Sequence, residues 1–294
     1  LSNLGIPCIG VEPTSSTAGV AREKGITIIK SFFGSKLAKE LVSNKKQADL
    51  MTANNVLAHV PDINDFVMGF SLLLKPQGVC TFEFPHLINL VRENQFDTIY
   101  HEHFSYLSLT VVERIFSANG LAVFDVEKLS THGGSLRVFA QRAQTGTMAR
   151  SENVEIILQE EKESGVATPG LYSGFQKKAE KVKNDFLGFL LQAKKDEKRV
   201  IAYGAAAKGN TMLNFAGIRS DLISFVVDRS ESKQKKYMPG SRIPIVCEEI
   251  LSQIKPDYVV ILPWNLREEI TEQLKYIRDW NGRFVTAVPS LSVF

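Results

Sequence analysis

In "RVIAYGAAAKGNTMLNFAGI" (199–218) an apolar run passes through a glycine and three alanines into a stretch that suits a helix. That order predicts strand, tight turn and helix. Downstream, "ISFVVD" (223–228) and "KPDYVVILPW" (255–264) read as strands, 266–279 as a helix, and "RFVTAVPS" (283–290) as a closing strand. Strands alternating with helices predict a Rossmann-like domain over 197–294.

Upstream the same alternation appears. "PCIGVEP" (7–13) is a strand ending in an acid, and "STAGVAREKGI" (16–26) a helix stopped by a glycine. "TIIKSFF" (27–33) is a strand followed by a helix over 35–43. "ADLMTANNVLAHV" (48–60) starts as a strand and breaks at Asn54-Asn55. A helix over 63–78 leads to a strand, "VCTFEFP" (79–85). An insertion over 86–108 and a helix over 109–119 follow. "LAVFDVEKL" (121–129) and "GGSLRVFAQR" (133–142) then form an antiparallel hairpin at the sheet's end. Residues 151–196 read as helical, with Phe175, Ala179, Val182, Phe186, Phe189 and Ala193 in a stripe that suits a helix bridging two domains. The expected division is therefore 1–145, a helical linker 146–196, and 197–294.

The composition narrows the class. Thirty-five basic and 32 acidic residues leave +3, too balanced for a nucleic-acid binder, and no apolar run reaches membrane-span length. Cys8, Cys80 and Cys247 follow no CxxC pattern and read as buried thiols of a cytoplasmic enzyme. Leu1-Ser2-Asn3, without an initiator methionine, reads as the tail of a helix that begins further upstream, so the expectation is an N-terminally truncated chain.

Four constellations carry chemistry. Glu12, at the end of a strand, suits the two hydroxyls of a ribose, and Asn54-Asn55 lie on the same rim, though asparagines also favour plain turns. With the terminal hairpin these sketch a class I methyltransferase sheet lacking its first strand. "GAAAKGNT" (204–211) has the glycine spacing of a phosphate-binding loop, but Asn210 stands where the phosphate lysine belongs, which argues against a nucleoside triphosphatase. Gly204, Lys208 and Asn210 still suit an anion at a helix N-terminus. A nicotinamide dinucleotide, with Asp228 on its ribose, is the rival reading. "DRSESKQKKYMPGSR" (228–242) offers Lys233 and Arg242 to a diphosphate on the same edge.

The fourth is "YHEHFSYLS" (100–108), which holds two of the chain's five histidines. As an extended stretch it would put Tyr100 and Glu102 on one face and His101 and His103 on the other. A metal site lacks a third nearby ligand. An acid–base centre, with a histidine oriented by a carboxylate and a tyrosine hydroxyl for an oxyanion, fits better, and a polar patch without chemistry stays open.

"ANNVLAHVPD", "FDTIYHEHFSYLS", "THGGSLR", "YGAAAKGNT" and "KQKKYMPGSRIPI", in that order, resemble the sugar-nucleotide C-methyltransferases of deoxysugar biosynthesis. The resemblance implies transfer of a methyl group from S-adenosylmethionine to C-3 of a dTDP-4-keto sugar. It implies a catalytic set of Tyr100, Glu102, His103 as base, and His59 in "LAHV". Glu12, Asn54 and Asn55 would serve the cofactor, and Gly204, Lys208, Asn210, Lys233 and Arg242 the sugar nucleotide. It assigns zinc to an N-terminal domain that this sequence does not include and no metal to the present chain. His101 takes a variable place in the motif, and His86 and His132 are at most lining residues. A different small-molecule acceptor, or a non-catalytic sugar-nucleotide module, remain the alternatives, and the oligomeric state is not specified.

Overall fold

The structure, a computed structural model, describes residues 4–294. The helix tail expected at Leu1–Asn3 lies outside the described residues. Contacts gather the described residues into two units, one of residues 4–84, 104–129 and 135–163, the other of 85–103, 130–134 and 164–294. This division differs from the expected boundaries at 145 and 196.

In the first unit β1 (Ile9–Val11), α1 (Ser15–Glu23) and β2 (Thr27–Ile29) make a parallel two-stranded sheet. After α2 (Ser35–Ser43) come β3 (Ala48–Asn54), α3 (Ile63–Leu73) and β4 (Leu74–Pro85). Asp62 caps α3 by accepting from the Asp65 N–H at 2.9 Å. The helix ends at Leu73, earlier than expected: Pro76 cannot continue it, and the chain turns directly into a longer strand. The chain then runs through α4 (Leu87–Arg92), part of the second unit, and returns with α5 (Leu109–Ala118), β5 (Leu121–Leu129), β6 (Ser135–Arg142) and α6 (Glu152–Glu163). The second sheet has the order β3-β4-β6-β5, with β3 and β4 parallel and the β5–β6 pair antiparallel at the edge, as the sequence predicts. Phe70, Phe82 and Phe116 stack through its core at ring separations of 4.5 and 4.7 Å. Fully buried phenylalanines of this kind contribute roughly 1.5–3 kcal/mol each.

The helical stretch 151–196 is three helices rather than one. Gly165 and Gly174, both at positive φ, break it into α6, a single turn α7 (Pro169–Tyr172) and α8 (Phe175–Lys195). Val154 and Ile157 of α6 belong to the first core, whereas Ala179, Val182, Phe186, Leu190 and Ala193 of α8 belong to the second. The stripe read from the sequence is thus a core face.

The second unit continues with β7 (Val200–Tyr203), α9 (Ala207–Phe215), β8 (Val226–Val227), β9 (Ile245–Val246), α10 (Ile250–Ile254), β10 (Tyr258–Ile261), α11 (Arg267–Gln273), β11 (Arg283–Thr286) and β12 (Ser292–Val293). Its sheet has the order β12-β11-β10-β7-β8-β9, parallel except for β12. The chain steps from β7 to β8 on one side and β10 lies on the other, so the carboxyl ends of β7 and β10 mark the topological switch point. Among the described residues no helix is long and apolar enough to cross a membrane.

Candidate active site

Residues 100–103 of the histidine motif belong to the second unit and form a turn, not an extended strand, while 104–108 belong to the first unit. The His103 N–H donates to the Tyr100 carbonyl at 3.0 Å, which closes the turn and cancels the strand alternation. Tyr100 and His103 therefore meet, their rings stacked with centroids 4.3 Å apart and planes 30° from parallel. The His103 Nδ1 lies 2.8 Å from the Thr98 carbonyl oxygen. A carbonyl only accepts, so Nδ1 carries the proton and the neutral ring has its lone pair on Nε2. That is the tautomer a base at Nε2 requires.

Tyr100, His101 and Glu102 line a cleft of about 440 Å³, within the usual size of small-molecule sites. The turn into α9 supplies its floor, with Ala205, Ala206, Ala207, Asn210 and Thr211. The basic loop after β8 adds Lys233, Lys236 and Tyr237. The Ala207, Lys208 and Gly209 N–H groups are in the first turn of α9, where intrahelical partners are lacking by geometry.

Of the residues expected to bind substrate, Asn210 and Lys233 reach this cleft, and Gly204, Lys208 and Arg242 do not line it. The glycine spacing has a packing origin. Gly204 has φ +86°, and a Cβ there would lie 2.6 Å from Pro263 Cδ; a Cβ on Gly209 would lie 2.5 Å from Leu262 Cβ. Both glycines let α9 sit tightly against the end of β10. Lys208 points to that side too, donating to Asn265 Oδ1 at 2.9 Å and lying 4.6 Å from the Trp264 ring centroid. Burial lowers its pKa, and the nearby Asp97 carboxylate partly opposes that. Arg242 is exposed in a turn closed by its N–H on the Met238 carbonyl.

Asp228 is engaged by its own loop. Its carboxylate accepts from the Ala205 N–H at 2.7 Å and the Ser230 N–H at 2.8 Å, and Lys233 Nζ stands 3.4 Å away. The acid that a dinucleotide reading needs is taken up by its own loop. Lys233 also donates to the Ala205 carbonyl at 2.9 Å, which holds its ammonium at the mouth of α9.

His86 is buried and caps α4, its N–H on the Gly134 carbonyl, and His132 is exposed; neither lines the cleft. His101, passed over in the sequence, does. Asp97 was also missed. It is buried, and the polar Gln95 and Thr98 around it left no sign of that in the sequence.

In the first unit Glu12 follows β1, half-buried, with Oε1 accepting from the Thr14 N–H at 2.7 Å. Asn54 ends β3, and Asn55, at φ 51°, donates its N–H to the Glu83 carbonyl at 2.8 Å. His59 closes a short 3-10 turn whose Ala58 carbonyl accepts from the Phe104 and Ser105 N–H groups. Cys80 is buried, and burial raises its thiol pKa, but Cys8 is half-buried and Cys247 exposed, so the three are not all core thiols.

The first stretch of the chain, residues 1–126, matches the methyltransferase-domain family, and 130–289 match the C-methyltransferase C-terminal domain. With the alternating sheet and its terminal hairpin, this defines a class I S-adenosylmethionine-dependent methyltransferase. The chain is 37% identical over 281 residues to the C-methyltransferase NovU of Streptomyces niveus, covering 96% of this chain and 67% of that one. It belongs to the C-methyltransferase family and is a C-methyltransferase. Among solved structures, the PH0226 protein of Pyrococcus horikoshii is similar over 48% of this chain and 74% of its own, at 16% identity and a TM-score of 0.39. The N-methyltransferase NodS of Bradyrhizobium japonicum, solved with S-adenosylhomocysteine, is similar over 46% of this chain and 66% of its own, at 14% identity and a TM-score of 0.35.

Proposed function

We propose that this C-methyltransferase acts in the cytoplasm on a nucleotide-linked 4-keto-deoxysugar, methylating the carbon next to the ketone. The observation that carries this reading is the composition of one cleft. Tyr100, His101 and Glu102 line one side, with His103 stacked on Tyr100 but not itself in the lining, and the α9 N-terminus with Lys233 and Lys236 lines another. The first suits an acidic C–H, the second a diphosphate.

S-adenosylmethionine, when bound, supplies an electrophilic methyl group. The residues present fit it: a half-buried carboxylate, Glu12, suits a ribose diol, and the exposed side chains of Asn54 and Asn55 lie at the end of β3 and just beyond it. The chain's own residues prepare the nucleophile. A C–H beside a ketone is acidic because the resulting anion spreads onto oxygen. His103 takes that proton at Nε2, the nitrogen its Thr98 hydrogen bond leaves as the base. Tyr100 or His59 donates a hydrogen bond to the developing enolate oxygen, and Glu102 holds a sugar hydroxyl or the imidazole.

His103→Ala should lower turnover by roughly 10²–10⁴-fold while thymidine diphosphate, followed by calorimetry, still binds. Lys233→Ala should weaken the diphosphate and leave S-adenosylhomocysteine binding intact. Unchanged turnover in His103→Ala would remove the base assignment. Failure of wild-type protein to bind thymidine diphosphate would remove the sugar-nucleotide substrate.

A further inference from the structure

The switch point of the second sheet is where an open α/β sheet normally takes its ligand. Here the chain fills it. Asp97, on the short 3-10 turn Phe96–Thr98, is 1% exposed, and its Oδ2 accepts from Trp264 Nε1–H at 2.8 Å. Trp264 follows β10 and carries the Lys208 ammonium over its ring, while Lys208 opens α9 behind β7. Lys208, the lysine that the sequence offers to a phosphate, is thus held by Asn265 and the Trp264 ring, where the Asp97 carboxylate attracts it. Burial raises Asp97 to about 6, against the Trp264 hydrogen bond and the attraction of Lys208. Its Oδ1 has no hydrogen-bond partner among the described residues.

The turn that Asp97 pins is the one that sets His103. Thr98, the next residue, presents the carbonyl to which His103 Nδ1–H donates. The Thr98 hydroxyl bonds the Gln95 carbonyl at 2.7 Å, and the Gln95 amide donates to the Gly133 carbonyl at 2.7 Å. The backbone either side of Asp97 is therefore tied, and its outward tether is the indole of Trp264.

We propose that Asp97 is a positioning residue: through its hydrogen bond from Trp264 it holds the Phe96–Thr98 turn so that the Thr98 carbonyl keeps His103 in the Nδ1–H form. The role rests on the reading of His103 as the base, but its test does not. A purely structural anchor would change stability alone. A positioning anchor also changes which imidazole nitrogen carries the proton.

The measurement is the ¹⁵N spectrum of histidine-labelled protein, with turnover kinetics beside it. Wild type should show His103 protonated at Nδ1. Trp264→Phe removes the N–H donor together with the five-membered half of the indole and keeps an aromatic ring at the position. It should give a mixture of tautomers and a kcat lower by about 10–100-fold, with KM for the sugar nucleotide within about 2-fold. Asp97→Ala should do the same, and Asp97→Asn, whose amide oxygen still accepts from the indole, should restore the wild-type spectrum and most of kcat. A pure Nδ1–H tautomer in folded Trp264→Phe would overturn the proposal. So would equal tautomer mixing in Asp97→Asn and Asp97→Ala, which would assign the effect to charge. Activity retained in His103→Ala would overturn the base assignment alone and leave the tautomer result as the judge of the anchor.

Discussion

Tyr100 and His103 show how much rests on a single peptide orientation. An extended chain would have set them on opposite faces; one turn stacks their rings and hands the histidine to the Thr98 carbonyl. Asp97, just before that turn, also has a consequence for stability. Its folded pKa of about 6 lies above the ordinary carboxylate value, so the native state keeps the proton to higher pH than the unfolded chain does. The stabilisation is complete below about pH 4 and is lost as the pH rises through 6, a span of about 3 kcal/mol. Asp97→Asn cannot titrate, so its stability should gain on wild type by about that amount between pH 4 and 7. Both tryptophans, Trp264 and Trp280, lie in the second unit, so urea unfolding followed by tryptophan fluorescence isolates it. Parallel pH dependences in the two proteins would contradict the raised pKa of the buried Asp97 carboxyl.

Helix α5 carries the chain away from the motif, and its start is held in two ways. Ser108 caps it through the Val111 N–H, and Glu161 of α6, completely buried, accepts from the Leu109 N–H at 2.6 Å and the Thr110 N–H at 2.8 Å. A carboxylate on free N–H groups at a helix start is favoured by both hydrogen bonding and the dipole. Glu161→Ala leaves those donors buried and should cost about 2–4 kcal/mol. Hydrogen exchange should show the amides at the start of α5 opening faster, with those of β7 and β10 unchanged. Protection of α5 at the wild-type level would rule out the cap. At the same level, the glycines of "GAAAKG" were legible as a turn, but not their purpose. Their spacing suggested a phosphate, and the observed reason is the closeness of Leu262 and Pro263, which follow the distant strand β10.

The division into two units changes what can be cut from this protein. A boundary at 196 would separate the second sheet from Phe186 and Leu190 of α8, both fully buried in its core, and from Phe96. Each such side chain removed costs about 3–5 kcal/mol, comparable in sum to the whole stability of a domain. A fragment of residues 197–294 should therefore fail to give a cooperative unfolding transition or a dispersed amide spectrum. A well-folded fragment would show that α8 and the motif segment are dispensable to that core. In the intact chain, thymidine diphosphate should slow exchange at the amides of 205–211 and 232–238 and leave those of 9–14 unchanged.

The alternation of apolar strands with amphipathic helices, the terminal hairpin and the ordered motifs were all readable along the chain, because each depends on neighbours a few residues away. The direction of Lys208, the engagement of Asp228 by its own loop and the burial of Asp97 were not. Asp97 meets Trp264 across 167 positions, and the pKa of a carboxyl group follows from the water and charge around it, which only the folded chain brings together.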